Sequence, residues 1–410
     1  MCLVFVSAVG GATLVWWGLE YHGANEQEWM VPVGLLLFGT PILISVSVLA
    51  SELPCLRRQV SLSSPYTSFV FGDSLVDAGN NDYIFTLSKA DSPPYGIDFT
   101  ASGGRPTGRF TNGRTISDIV GQALGARSFP PPFLAPRTGS LGIINGVNYA
   151  SGASGILDET GHLFVGRVPL RKQIDYFEQS KDYMRTMMGE SGVIKLLKGA
   201  IFSLTIGSND FFDYLEPSIP LIAQSKLSHT MLEDAMVSNL TLQLKRLHHL
   251  GARKFVVVGV GPLGCIPFVR ALNLLPSGRC SSDVNNLVQG YNKKLRKVLY
   301  QLNEELGPSV VFVYANSFDI VMGIISHYQQ FGFENAYDPC CGGNFPPFIC
   351  FKGRTEDTSS VLCNDRPKYV FWDAYHPTEA ANVIIAEKLL DGDQRFISPM
   401  NIRELYHYRS

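Results

Sequence analysis

Charge of one sign is what this chain most lacks. Across 410 residues, 34 lysines and arginines stand against 36 aspartates and glutamates, a formal charge of -2. No basic patch or tail marks a nucleic-acid footprint, and no acidic block implies a polycationic partner. Paired C-x-x-C modules are missing and no histidine sits within the cysteine cluster at 340–363, so no metal site is expected. The pattern G-x-S-x-G is absent, which excludes the serine elbow of an α/β-hydrolase. No internal repeat is present.

What remains is an ordinary globular composition, 45% hydrophobic, long enough to bury a large core in one α/β domain or two smaller ones. Eight cysteines occur. Cys2 and Cys55 lie in or next to the N-terminal apolar region. Cys265, Cys280, Cys340, Cys341, Cys350 and Cys363 form an even body set whose last four members cluster, as disulfides in an oxidising compartment would. A set of six allows about 15 pairings, and the sequence does not choose among them.

Residues 1–50 differ from the rest. One apolar run covers Cys2 to Trp17; a longer one covers Val31 to Ala50 and ends in small residues suited to signal-peptidase cleavage. Either residues 30–50 are a secretory signal behind an upstream extension, or both runs span a membrane and anchor the protein. Arg57 and Arg58 would then favour a cytoplasmic body, which the cysteines and the sequon at Asn239 oppose, so the signal is preferred. Residues 51–66 read as a linker, 67–396 as one catalytic-sized domain and 397–410 as a tail.

Inside the domain, apolar strands alternate with amphipathic helices, which implies a mostly parallel sheet covered on both faces. Strands are expected at Phe69–Phe71, Ala200–Ile206, Lys254–Val260, Val310–Val313 and Tyr369–Trp372, and Gly146–Gly155 reads as a brief strand running into a small-residue turn. Helices are expected at Thr115–Leu124, Pro169–Met188, His229–Leu250, Val284–Leu306, Phe318–Tyr328 and from Pro377 to about Leu390. In His229–Leu250, Met236, Leu240, Leu244 and Leu247 recur at helical spacing and Gly251 supplies a C-cap. Lys89–Pro132 is a long loop of the kind that carries function. Gly259-Val260-Gly261-Pro262-Leu263-Gly264 satisfies G-x-G-x-x-G, but Pro262 and Pro267 leave no phosphate-binding helix behind it, so no dinucleotide is expected.

Polar residues that bear chemistry fall where these strands end. Gly72-Asp73-Ser74 follows the first strand, Gly152 and Gly155 lie in a small-residue turn after the second, Asn209 follows the third, and Asp373 and His376 follow the last. A serine hydroxyl needs a base to become nucleophilic, and imidazole serves near neutral pH. An acid must orient that imidazole, and Asp373 lies on the same loop as His376. Charge developing on a carbonyl oxygen needs preorganised donors such as the Asn209 amide and glycine-turn N–H groups. Asp73 reads as a turn residue.

Phe71-Gly72-Asp73-Ser74-Leu75-Val76-Asp77-Ala78-Gly79-Asn80-Asn81, Asn148–Gly155, Ile206–Asp210, Phe255–Pro267 and Asp373–Pro377 occur in that order. This set resembles the consecutive blocks of the plant GDSL esterase/lipases, within the SGNH hydrolase superfamily, over roughly Thr67 to Phe396. The resemblance implies a three-layer α/β/α sandwich of flavodoxin-like type. It implies cleavage of carboxylic esters, lipid or other, through an acyl-enzyme without a cofactor, with Ser74 as nucleophile, His376 as base and Asp373 as its acid. The oxyanion hole would combine the Ser74 N–H, the Asn209 side chain and a glycine N–H, Gly155 being preferred to Gly152. Acyl transfer onto cell-wall or cuticle substrates is the variant activity the resemblance allows, and a secreted binding protein that keeps only the fold is the rival class.

Overall fold

The computed structural model describes residues 2–20, 30–40, 66–136, 142–215, 227–276, 278–343, 350 and 362–409. Two units separate along the chain, at Ser63/Ser64.

In the first unit, α1 (Cys2–Glu20) and α2 (residues 30–40) are helical. Gly10 and Gly34 allow their backbones to touch, since a Cβ on Gly10 would lie 2.4 Å from the Phe38 nitrogen. Among the described residues, no helix is long and apolar enough to cross a membrane. The expected cleavage point after Ala50 and the linker up to Pro65 fall outside the described residues.

Short runs rich in aromatic and β-branched residues build the sheet of the second unit. They are β1 (Ser68–Gly72), β2 (Gly146–Asn148), β3 (Ile201–Thr205), β4 (Lys254–Val258) and β5 (Val311–Ala315). The order is β2-β1-β3-β4-β5, all parallel. Register is locked by a row of rings: Phe69 pairs with Phe202, Phe202 with Phe255 and Phe255 with Phe312. Neighbouring centroids in that row lie 5.1, 5.9 and 4.4 Å apart. A slip of one residue would turn every one of these rings to the other face.

Helices cover both faces. On one, α4 (Leu170–Gly199), α6 (His229–Leu250) and α8 (Ser282–Leu306) pack side by side, α4 placing Phe177 on the phenylalanine row. On the other, α3 (Ile116–Ala123) packs on α10 (Glu379–Asp391), which also meets α9 (Ser317–Ser326). This is the expected three-layer α/β/α arrangement. Helix α6 has the expected bounds, with Ser228 capping its start and Gly251 (φ 117°) its end. Helix α4 runs past the expected Met188 because a second helix continues beyond a break at Gly189 (φ 74°).

Three features differ from expectation. The strand before Asp373, β7 (Tyr369–Phe371), is not in the central sheet; it pairs with β6 (Asn335–Pro339) in a separate two-stranded sheet. Three residues cannot reveal their partner. Residues 397–409 are part of the domain and not a tail outside it: β8 (Ile397–Ser398) pairs antiparallel with β5, and α11 (Ile402–His407) packs on α10 with Ile402 and Leu405 buried. Finally, α10 begins after Thr378, whose side chain accepts the Ala381 N–H, so Pro377 precedes the helix instead of opening it.

Candidate active site

β1 and its neighbours set the position of Ser74. The chain leaves β1 toward β2 on one side, while β3 lies on the other, so the end of β1 is the topological switch point where a crevice opens. Gly72 is obligatory there because a Cβ would lie 2.3 Å from the Thr205 carbonyl oxygen. Gln173 of α4 clamps this residue, accepting its N–H at 2.9 Å and donating to its carbonyl at 2.8 Å. Asp73 Oδ1 then accepts the Leu75 N–H at 3.0 Å, turning the chain so that Ser74 is half-exposed over the crevice.

The turn after β7 brings His376 to it. His376 Nε2 lies 2.7 Å from Ser74 Oγ, and its Nδ1 lies 2.8 Å from both Asp373 oxygens. Because the carboxylate can only accept, Nδ1 carries the proton and Nε2 presents its lone pair to the serine. Asp373 is itself fixed by the Tyr375 and His376 N–H groups at 2.8 Å and by the Tyr95 hydroxyl, which donates at 2.8 Å. Burial pushes the Asp373 carboxyl up, but His376 and these donors outweigh it and hold it below the ordinary carboxylate range. Burial, then the charge of Asp373, keeps the Tyr95 hydroxyl protonated by raising it well above its usual value. Phe110 flanks the imidazole at 5.2 Å. Both Tyr95 and Phe110 come from the long loop between β1 and α3.

A third segment, residues 150–161, crosses the crevice on two buried carboxylates. Asp77 accepts the N–H groups of Gly79, Asn80 and Gly152 at 2.7, 2.8 and 3.0 Å. Asp210 accepts those of Ile156 and Leu157, both at 2.9 Å, and the Thr160 hydroxyl. Burial raises Asp77 to about 7 and Asp210 to about 6 against the pull of these donors.

Four of the sequence-predicted residues, Ser74, Asp373, His376 and Asn209, line one cavity of about 610 Å³. Asn209 sits in the first turn of α5 (Ser208–Leu215) and donates to the Ser154 carbonyl at 2.9 Å, leaving its second amide hydrogen for the cavity. Neither glycine lines it. The Gly152 N–H is committed to Asp77, and Gly155 is packed so tightly that a Cβ would lie 2.4 Å from Thr160. Of the two residues between them, Ala153 does line it. Ala153 holds φ at 65°, a left-handed conformation unusual for a residue with a Cβ, and its N–H has no partner among the described residues. Sequence reading passes over Ala153 because only glycine or asparagine would flag such a conformation. Tyr95 and Gln173 carry no local signal at all. Asn239, the sequon asparagine, is exposed on α6. Among the described residues no cluster of acidic, histidine and cysteine side chains could hold a metal ion.

Comparison with known sequences bears directly on this geometry. Residues 69–389 match the family described as GDSL-like lipase/acylhydrolase. The chain belongs to this family. One GDSL esterase/lipase of Arabidopsis thaliana is 62% identical over 348 residues, covering 84% of this chain and 94% of that protein. Two others from the same plant are each 47% identical, one spanning 91% of this chain and 98% of itself, the other 82% and 87%. The matched span begins in β1 and ends in α10, so it encloses all the residues just described. Separately, residues 1–51 match a family described as putative AtpZ or ATP-synthase-associated.

The six body cysteines pair as Cys265–Cys280, Cys340–Cys363 and Cys341–Cys350. Cys340 and Cys341 belong to the strip beside β7, and their N–H groups bond the carbonyls of Phe371 and Trp372 at 3.0 and 2.6 Å. Two of the bridges thus brace the segment that delivers Asp373 and His376.

Proposed function

We propose that this chain is a serine hydrolase of carboxylic esters that works through an acyl-enzyme. The observation that carries the reading is the unbroken hydrogen-bonded series from Ser74 Oγ through His376 to Asp373, at 2.7 and 2.8 Å, opening on the cavity. In this reading His376 Nε2 takes the proton as Ser74 Oγ bonds to the carbonyl carbon, then delivers it to the departing alkoxide. Water repeats the sequence in reverse and frees the acid. Asp373 keeps the imidazole in the competent tautomer and stabilises the imidazolium. The oxyanion is met by the N–H groups of Ser74 and Ala153 and by the Asn209 amide. The alanine amide stands here in place of the preferred Gly155, which does not line the cavity, and of Gly152, whose N–H is bonded to Asp77.

Three disulfides favour an oxidising compartment, and we take the protein to act outside the cytosol. Hydrolysis of a panel of esters beside the Ser74→Ala variant tests the function. The wild type should turn over at least one ester and react covalently with a fluorophosphonate, and the variant should do neither. Equal rates in both proteins would refute the mechanism. A wild type that neither labels nor turns over would point to a binding protein that retains only the fold.

A further inference from the structure

The two oxygens of Asp373 are supplied unequally by their own turn. Oδ1 accepts the N–H groups of Tyr375 and His376, both at 2.8 Å. Oδ2 receives no backbone donor among the described residues. Besides the imidazole Nδ1–H, its donor there is the Tyr95 hydroxyl at 2.8 Å. A carboxylate held by one oxygen still turns about its Cβ–Cγ bond, because that torsion has a broad profile. An anchor on Oδ2 stops the rotation and keeps both oxygens 2.8 Å from Nδ1. The same hydrogen bond draws negative charge from the carboxylate and so weakens its hold on the proton at Nδ1.

Tyr95 is itself held firmly. Its buried ring meets Phe110 and Trp372 edge-on, with centroids 6.1 and 6.2 Å away. The long loop that carries it is tied to the segment around the catalytic turn at three points. Asp98 pairs with Arg366, just before β7, at 2.6 Å. Thr111 donates to the Pro377 carbonyl at 3.0 Å, and Asn112 accepts the Glu379 N–H at 2.8 Å. Burial, then the charge of Asp373, keeps the Tyr95 hydroxyl protonated, so it stays a donor while His376 gains and loses its proton.

We infer that Tyr95 is a positioning residue for ester hydrolysis: it fixes the plane of the Asp373 carboxylate and, through it, the direction and basicity of His376. This inference rests on the serine-esterase reading above. Besides Asp373, the titratable groups that face the pair are Asp73, from the turn after β1, and Tyr375, from the catalytic turn; Lys89 and Asp213 lie elsewhere on the cavity wall. Tyr95→Phe leaves all four in place and keeps the ring with its packing. The test is a double-mutant cycle with Tyr95→Phe, Asp373→Asn and the pair, on 4-nitrophenyl butyrate, with thermal unfolding to show that each protein is folded. Tyr95→Phe alone should lower kcat by roughly ten- to a hundredfold with KM little changed. In the Asp373→Asn background the same change should cost less than about threefold, because the carboxylate it acts through is gone. The acid limb of the kcat/KM profile should move to higher pH by about half a unit or more, since Asp373 then holds the imidazolium proton more strongly. A ring that merely packs would slow both backgrounds by one factor and leave the limb in place. Either of those results, or an unchanged kcat in Tyr95→Phe, would overturn the inference while leaving ester hydrolysis intact. A wild type that turns over no ester would instead overturn the esterase reading, and this inference with it.

Discussion

Two tight turns carry Ser74 and His376, and each holds a buried aspartate under opposite conditions. In the turn after β7, Asp373 receives two backbone N–H groups, the imidazole and the Tyr95 hydroxyl, so its charge is stabilised. In the turn after β1, Asp73 receives the Leu75 N–H on one oxygen while Oδ2 is buried without a partner among the described residues. Burial pushes Asp73 up to about 7, only partly offset by the Leu75 amide and by His376. The same side chain thus serves as a stable anion in one turn and as a costly one in the other. The difference lies in how many donors the surrounding chain supplies.

The largest expected effect breaks the better-supplied turn. Asp373→Asn preserves shape but offers an amide where His376 Nδ1–H needs an acceptor, favouring the wrong tautomer. Steady-state kinetics should show kcat falling by roughly 10³–10⁴, with KM little changed.

A smaller effect should come from the poorly supplied turn, and with the opposite sign. Because the folded protein holds Asp73 at about 7, above its ordinary 3.8, ionisation costs stability as pH rises from near 4 and costs most above 7. Asp73→Asn should therefore stabilise the protein at pH 8 by roughly 1–3 kcal/mol and have little effect at pH 4. Denaturant unfolding at the two pH values checks this; a loss of stability at pH 8 would show that the carboxylate has donors other than Leu75. Asp373 runs the other way, since its lowered value gives stability that is present above the ordinary carboxylate range and lost as pH falls through the folded value.

The smallest expected effect concerns the segment that Asp77 ties to the first turn. Ala153 at φ 65° carries a steric cost of about 1–2 kcal/mol, which glycine would remove at some entropic expense. Ala153→Gly should raise stability by about 1 kcal/mol or less in thermal unfolding. Ala153→Val should lower it by more, because a β-branched side chain tolerates this conformation worst.

Much was decided by local sequence. The five short strands and α6 follow from apolar runs and helical spacing, which are properties of neighbours along the chain. Ser74, Asn209, Asp373 and His376 were legible because each lies in a polar turn beside an apolar strand. Their ordered spacing carried the family resemblance that the comparisons then bore out. Beyond that point the long-range contacts take over. Tyr95 reaches Asp373 across 278 residues and Gln173 reaches Gly72 across 101, and no local pattern encodes either partner. The pairing of β7 with β6, the folding of 397–408 onto the domain and the choice among cysteine pairings were likewise set by what lies adjacent in space. Backbone conformation also depends on that context. The chain places Ala153 after Gly152, but its left-handed conformation belongs to a segment held on either side by Asp77, which accepts the Gly152 N–H, and by Asp210, which accepts those of Ile156 and Leu157.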